Sequence, residues 1–248
     1  MVALFQPPFC SPDRLLPHMR ARGYAVLAPA AMAEAAGVEL AALDGLVDSW
    51  DRLEPDGYLK DGGRYRRRRH SCFVVGVEEV QQAPHRAHWQ SLDYNALHGG
   101  MQRWFEPVEP AVAAAPAWRH LLLGLGRCCS ALKGERPWYV EAHQFRIDTT
   151  DGIGRPTPEG AHRDGVDFVA VLLVGRYGIK GGETRVFAAD GPDGQRFTLE
   201  APWSLLFLDD ERVIHESTPI QPLDGTGHRD TLVLTYRAGG FQGDPQAL

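Results

Sequence analysis

One segment of the sequence carries side chains that could hold a transition metal: Pro158-Glu159-Gly160-Ala161-His162-Arg163-Asp164-Gly165-Val166-Asp167-Phe168. His162 and Asp164 lie two residues apart, so extended backbone sends both side chains out of one face. An imidazole nitrogen and a carboxylate oxygen placed in this way can fill two neighbouring coordination positions of a divalent ion. A third ligand on the same side completes a facial triad and leaves three positions open. That arrangement suits non-haem Fe(II), because the open positions admit a cosubstrate and O₂. His215, in the strand-like Val213-Ile214-His215-Glu216-Ser217, offers the third ligand. Fourteen residues later comes Arg229, with Thr231 on the same strand face. A guanidinium beside a hydroxyl is what a barrel interior needs to hold the far carboxylate of a dicarboxylic acid.

Other residues compete for these roles. A second triplet, His228-Arg229-Asp230, also has metal-pair spacing. If it bound the metal, Arg229 would face away and no histidine would follow it, so the first triplet is preferred. His143 reads as a structural histidine. A strand over 138–147 puts Gln144 and Arg146 on one face and His143 and Phe145 on the other. Gln144 and Arg146 are candidates for lining a substrate pocket, with a solvated face as the competing reading. Glu183 is a further candidate, following Gly181-Gly182, a pair that serves either as a plain turn or as a close backbone approach beside the metal. The run Arg64-Tyr65-Arg66-Arg67-Arg68-Arg69-His70 reads first as a solvated or ion-paired strand, because alternation splits its arginines between two faces. Recognition of a substrate carboxylate comes second and nucleic-acid contact third.

These residues need a scaffold, and the two halves of the chain differ in texture. Residues 1–137 hold most of the helix-like sequence: 30–53, where Met32, Ala36, Leu40, Leu43 and Val47 recur at three- and four-residue steps, then 94–105 and 117–132. Strands are expected at 23–27 and 65–77. From Trp138 the pattern switches to strands near 138–147, 166–174, 183–188, 196–200, 203–208, 212–216 and 229–237. Two of these, 168–174 and 203–208, are apolar on both faces and must be covered on both sides. In the last strand Arg229, Thr231, Val233 and Thr235 share one face and Leu232, Leu234 and Tyr236 the other, as suits the wall of a barrel with a functional interior. The expected fold is α+β and mainly β, a sandwich or jelly roll braced by N-terminal helices. One domain over 1–248 is expected, with 1–137 as a helix-rich supporting part and 138–240 as the core bearing the metal site.

Composition excludes several classes. A hydrophobic fraction of 44% and a charged fraction of 23% are those of a folded globular chain. The net charge of −6 argues against general attraction to nucleic acid or an anionic membrane. No apolar run approaches the ~18 residues of a membrane span, and the start Met-Val-Ala-Leu-Phe-Gln-Pro-Pro is unlike a signal peptide. Cys10, Cys72, Cys128 and Cys129 form no Cys-x-x-Cys pair and read as reduced packing residues. A cytoplasmic location is expected.

The order His162-x-Asp164, His215, Arg229-x-Thr231 resembles the Fe(II)/2-oxoglutarate-dependent dioxygenases, whose fold is a double-stranded β-helix of cupin-like jelly-roll type. The stretch Pro156-Thr157-Pro158-Glu159-Gly160-x-His162-x-Asp164-Gly165-Val166-Asp167-Phe168, followed by Gly181-Gly182-Glu183-Thr184, is similar to a bacterial branch. That branch contains free L-isoleucine hydroxylases and a biofilm, stress and motility protein. The resemblance is close over 138–237 and loose before it. It implies that His162, Asp164 and His215 bind iron and that Arg229 anchors 2-oxoglutarate, with Thr231 assisting. It also implies O₂ as oxidant, ascorbate as a stimulant, and a small-molecule substrate, a free L-amino acid. Two rivals remain open: a cupin-type metalloenzyme of another class, against which Arg229-x-Thr231 argues, and a non-catalytic 2-oxoglutarate-binding protein of stress or biofilm physiology. Neither the particular substrate nor an oligomeric state is read from the sequence.

Overall fold

Strands apolar on both faces are stable only between two layers, and the computed structural model supplies both. It describes residues 5–244 apart from 96 and 98. In chain order the elements are β1 (Phe9–Cys10), α1 (Leu15–Arg22), β2 (Tyr24–Leu27), α2 (Pro29–Ala36), α3 (Leu40–Asp44), β3 (Arg66–Val75), β4 (Val80–Gln82), α4 (Pro110–Ala113) and α5 (Pro116–Lys133). Next come β5 (Trp138–Asp148), β6 (Phe168–Tyr177), β7 (Ile179–Gly181), β8 (Thr184–Ala188), β9 (Gly194–Phe197), β10 (Leu205–Asp209), β11 (Val213–Ser217), β12 (Ile220–Pro222) and β13 (His228–Arg237). Eight strands form one sheet in the order β1-β2-β10-β6-β13-β5-β3-β4, antiparallel except for β1 with β2. Two small sheets, β11-β8-β9 and β12-β7, complete the β-structure.

The two faces of the large sheet do different work. On one face Phe168, Ala170 and Leu172 of β6, Leu205 and Phe207 of β10, and Leu232, Leu234 and Tyr236 of β13 pack against the helices in the main core. On the other, Val169 and Leu173 of β6 and Leu206 and Leu208 of β10 pack with Val186, Phe197 and Val213 of the sheet β11-β8-β9. This is a jelly roll braced by helices, and the alternation seen in β6, β10 and β13 is the reason for it. Strands from the N-terminal part, β1 to β4, take half the places in the large sheet.

Two expected helices take another form. The stripe over 30–53 is cut at Gly37, whose φ of +65° caps α2 through its N–H to the carbonyls of Ala33 and Glu34. Beyond it the chain forms the short α3 and a 3₁₀ turn, Val47–Arg52, yet Met32, Ala36 and Leu43 reach the core and Leu40 and Val47 pack against it half-buried. Over 94–105 the described residues make turns rather than a helix. Gly99 donates to the Asn95 carbonyl, and Gly100, at φ +74°, donates to Gln90. Two adjacent glycines there favour the turn over the helix.

Helix α5 crosses α2 at a glycine. A Cβ on Gly124 would lie 2.0 Å from the Ala36 carbonyl oxygen and 2.5 Å from its Cα. Helix propensity alone would make Gly124→Ala stabilising by about 1 kcal/mol. The backbone contact reverses the sign: we expect a loss of about 2 kcal/mol by overpacking, read as a fall of roughly 4–8 °C in thermal midpoint. An unchanged or raised midpoint would contradict this crossing.

Candidate metal and cosubstrate site

The three sequence-predicted ligands converge, and backbone hydrogen bonds bring them together. His162 and His215 form an isolated antiparallel bridge, each N–H donating to the other's carbonyl at 3.0 Å. Their rings stand side by side with centroids 4.7 Å apart. His215 is held from its other side by β8, opposite Val186. Asp164 is placed by the buried Asp210, whose carboxylate accepts from the backbone N–H groups of Asp164 (3.0 Å), Gly165 (2.7 Å) and Val166 (3.1 Å). The result sets Asp164 oxygens 3.9 Å from His162 Nε2 and 3.8 Å from His215 Nε2, and the three donor atoms lie within 4.8 Å of one another.

The donor chemistry fits a cation. His162 Nδ1 donates to the Gly160 carbonyl at 3.0 Å, which leaves Nε2 as the lone pair facing Asp164. Burial, with His162 alongside, keeps His215 neutral by lowering its pKa. Burial pushes the Asp164 carboxyl up to about 7; Asp210 and Glu159 add to the rise while His162 opposes it. Against burial, the neighbouring Asp164 and Glu159 carboxylates raise the pKa of His162, and a buried carboxylate between two imidazole nitrogens is the donor set of a two-histidine, one-carboxylate metal site. Among the described residues, the competing triplet forms no such group: Asp230 takes a bidentate ion pair from Arg146 at 2.7 and 2.8 Å.

The triad opens on a cavity between the large sheet and the small ones, also lined by Arg229, Thr231, Val233 and Thr235. Arg229 is 4% exposed, and its Nε has no partner. Among the described residues no carboxylate pairs with its guanidinium. Burial and the neighbouring Arg176 lower its pKa to about 10. A guanidinium buried without a counterion costs free energy that an anionic ligand would recover. Gly182, at φ +68°, passes over it: a Cβ there would lie 3.6 Å from Arg229 Cδ and 3.4 Å from Arg176 Nη1. The Gly181-Gly182 pair is therefore a close approach, at the Arg229 end of the cavity.

The three substrate candidates lie elsewhere. Gln144 is fully buried on the helix side, donating to Ser49 Oγ at 2.9 Å. Arg146 pairs with Asp230 and, at 2.8 Å, with Asp51. Glu183 accepts from Arg185 at 2.9 Å. None lines the cavity. The faces of β5 alternate as expected, but the opposite one looks inward, and Glu141, His143, Phe145 and Ile147 line the space. The signal was available: Trp138, Val140 and Ala142 are apolar and belong to the core side, which commits Gln144 and Arg146 to that side as well.

The arginine run divides as alternation requires. Arg66 and Arg68 line the cavity, while Arg67 and Arg69 face away. Arg66 pairs with buried Asp56 at 2.7 Å, and Arg68 lies over the rings of Phe105 (3.8 Å) and Phe145 (4.6 Å). Arg103 joins them and donates to Gln90 Oε1 at 2.9 Å; Gln90 in turn donates to Asp164 at 3.3 Å. Sequence reasoning missed Arg103, Gln90, His70, His88 and Glu141. The last three form a buried cluster, Glu141 Oε2 accepting from His70 Nε2 at 2.9 Å and His88 Nδ1 at 2.6 Å. Against burial, electrostatic attraction to His88 together with these bonds holds the carboxyl below its usual range, while burial pushes His88 down to about 3.

A family model described as 2OG-Fe dioxygenase matches residues 47–235. The chain is 53% identical to a bsmA homolog from Methylobium petroleophilum PM1, with 98% of this chain and 99% of that one covered and a TM-score of 0.90. Its fold is also similar to IDO from Bacillus thuringiensis, at 17% identity, 93% and 100% coverage and a TM-score of 0.72. TqaL, an Fe(II)/(alpha)ketoglutarate-dependent dioxygenase, is 19% identical with 94% and 89% coverage and a TM-score of 0.72. Comparison with curated proteins gives no match. Fe(II), 2-oxoglutarate and O₂ are the reactants of the matched family, and the donor set and the unpaired Arg229 fit them. This chain belongs to the 2OG-Fe dioxygenase family.

Proposed function

We propose that this dioxygenase hydroxylates a free L-amino acid in the cytoplasm, with Fe(II) on His162, Asp164 and His215 and 2-oxoglutarate anchored by Arg229 and Thr231. One observation carries the reading: the three donors, the unpaired Arg229 and a second group of guanidiniums face one shared cavity. When bound, Fe(II) with 2-oxoglutarate and O₂ supplies an oxidation that releases succinate and CO₂ and places one oxygen atom on a substrate C–H bond.

The chain's own residues supply position and charge. Gly160 fixes the His162 tautomer and Asp210 fixes the Asp164 backbone, so the donors are arranged in advance. Arg229 meets the distal carboxylate of the cosubstrate, and Thr231, beside it on β13, offers a hydroxyl. A second anion is favoured by Arg66, Arg68 and Arg103, which line the cavity with the single carboxylate of Asp56 shared by Arg66 and Arg68. The carboxylate of a small substrate would satisfy them. Phe145, Val171 and Val233 give the same cavity apolar surface for an aliphatic side chain. All four cysteines are free thiols, in keeping with a reducing compartment, and no helix among the described residues is long and apolar enough to cross a membrane.

A mass-spectrometric screen of free amino acids with Fe(II), 2-oxoglutarate and ascorbate should give one or more products that have gained an oxygen atom, with succinate in equal amount. Succinate without an oxidised amino acid would count against the substrate class. Asp164→Ala should lower turnover more than about 10²-fold and release iron, since the anionic ligand is gone; full 2-oxoglutarate decarboxylation by that variant would remove Asp164 from the site. Arg229→Ala should raise the KM for 2-oxoglutarate about 10²-fold, because one partner of a buried charge pair is lost. An unchanged KM would transfer the anchor to Arg176, the neighbouring cation.

A further inference from the structure

The cluster of His70, His88, Glu141 and His143 is buried, lies apart from the iron triad, and has no part in holding iron or 2-oxoglutarate in the reading above. Its four donor atoms lie within 4.8 Å of one another, a spacing that metal ligands share. The hydrogen bonds say otherwise. Arg68 Nη2 lies 2.8 Å from His143 Nδ1, and a guanidinium at this distance can only donate. His143 Nδ1 is therefore an acceptor and Nε2 carries the proton, directed toward Glu141 Oε2 at 4.0 Å. With His70 and His88 donating to the same oxygen, the cluster is a carboxylate ringed by imidazole N–H groups rather than a cradle of lone pairs.

Both short bonds go to Oε2. Among the described residues no hydrogen bond engages Oε1, and Glu141 lines the cavity. Register separates this end from the cosubstrate anchor. Glu141 pairs with Thr235 and Ile147 with Arg229, six residues along the same two strands, or about 20 Å at the usual rise. Opposite charge is near at hand. Arg68 and Arg103 line the same cavity. Arg68 and Glu141 flank one imidazole ring through contacts of 2.8 Å and 4.0 Å, which sets the two charges at most about 9 Å apart. The His143 ring fills the line between those two atoms, so a ligand would meet both charges from the cavity, the ammonium and carboxylate of a zwitterion offering one hydrogen bond of about 2.9 Å to each.

We propose that Glu141 is the specificity-determining acceptor for the substrate's α-ammonium group, with Arg68 and Arg103 taking its α-carboxylate, so that the cavity selects zwitterions. This inference rests on the free amino acid reading above. The imidazoles of His70 and His88 act as positioning residues: they hold the carboxylate by one oxygen and leave the other for the ligand.

The test is anaerobic calorimetric titration of the full chain loaded with Fe(II) and 2-oxoglutarate. The twenty proteinogenic L-amino acids are titrated first. The tightest is then compared with its 2-hydroxy acid, which lacks the ammonium, and its decarboxylated amine. The wild type should bind the amino acid about 10²-fold or more tightly than either analogue, because each leaves a buried charge unpaired. Glu141→Gln should lose amino acid affinity to a similar degree and keep its affinity for 2-oxoglutarate, the latter also reporting that it folds. Equal affinity for the amino acid and its 2-hydroxy acid would overturn the role of Glu141 while leaving the amino acid reading standing. Failure of all twenty to bind would overturn both. A second stoichiometric metal ion, lost in Glu141→Gln, would overturn the proposal by making the cluster a metal site.

Discussion

Two backbone hydrogen bonds between His162 and His215 are the constraint on which the site depends. They join a loop to the edge strand β11 and align two imidazoles whose positions in the chain are 53 residues apart. The Asp210 carboxylate does the same for the Asp164 segment by gathering three consecutive N–H groups. Donor geometry is thus set by hydrogen bonds that engage the main chain of both segments. Burial holds the Asp164 carboxyl well above its usual range, a cost that a positive ion beside it would relieve.

The same economy runs through the cavity. Strands β5 and β13 turn Val140, Ala142, Leu232 and Leu234 toward the helices and Glu141, His143, Arg229 and Thr231 inward, so two periodicities in two strands create both the main core and the reactive interior. Charge inside is divided by position. Arg229 stands at one end without a carboxylate partner among the described residues, while Glu141 stands at the other within a ring of donors. Arg66 shares Asp56 with Arg68, which at 2.7 and 3.8 Å compensates only part of their charge. Such an interior is stable because the remaining polar atoms are held by neighbours, and it is selective because a few are not.

Much of this was legible in the sequence, where local pattern decides. The His162-x-Asp164 spacing, the order of His215 and Arg229, the two-sided apolarity of β6 and β10, and the alternation of β13 all depend on near neighbours. Parity without direction was the limit for β5: its faces were separable, but the inward one was mistaken because Gln144 and Arg146 look functional and are ion-paired or hydrogen-bonded outside the cavity. The Glu141 cluster was not legible because it joins β3, β5 and the segment at His88 through pairing that spans 71 residues. Gly37 and Gly99-Gly100 broke expected helices where backbone freedom overrode the surrounding apolar spacing.

The decisive measurement is an iron-edge anomalous difference map from crystals grown anaerobically with Fe(II). One strong peak per chain is predicted within about 2.2 Å of His162 Nε2, an Asp164 carboxylate oxygen and His215 Nε2. A map without density at that triad, or with its iron seated among His70, His88, Glu141 and His143 instead, would contradict the metal assignment.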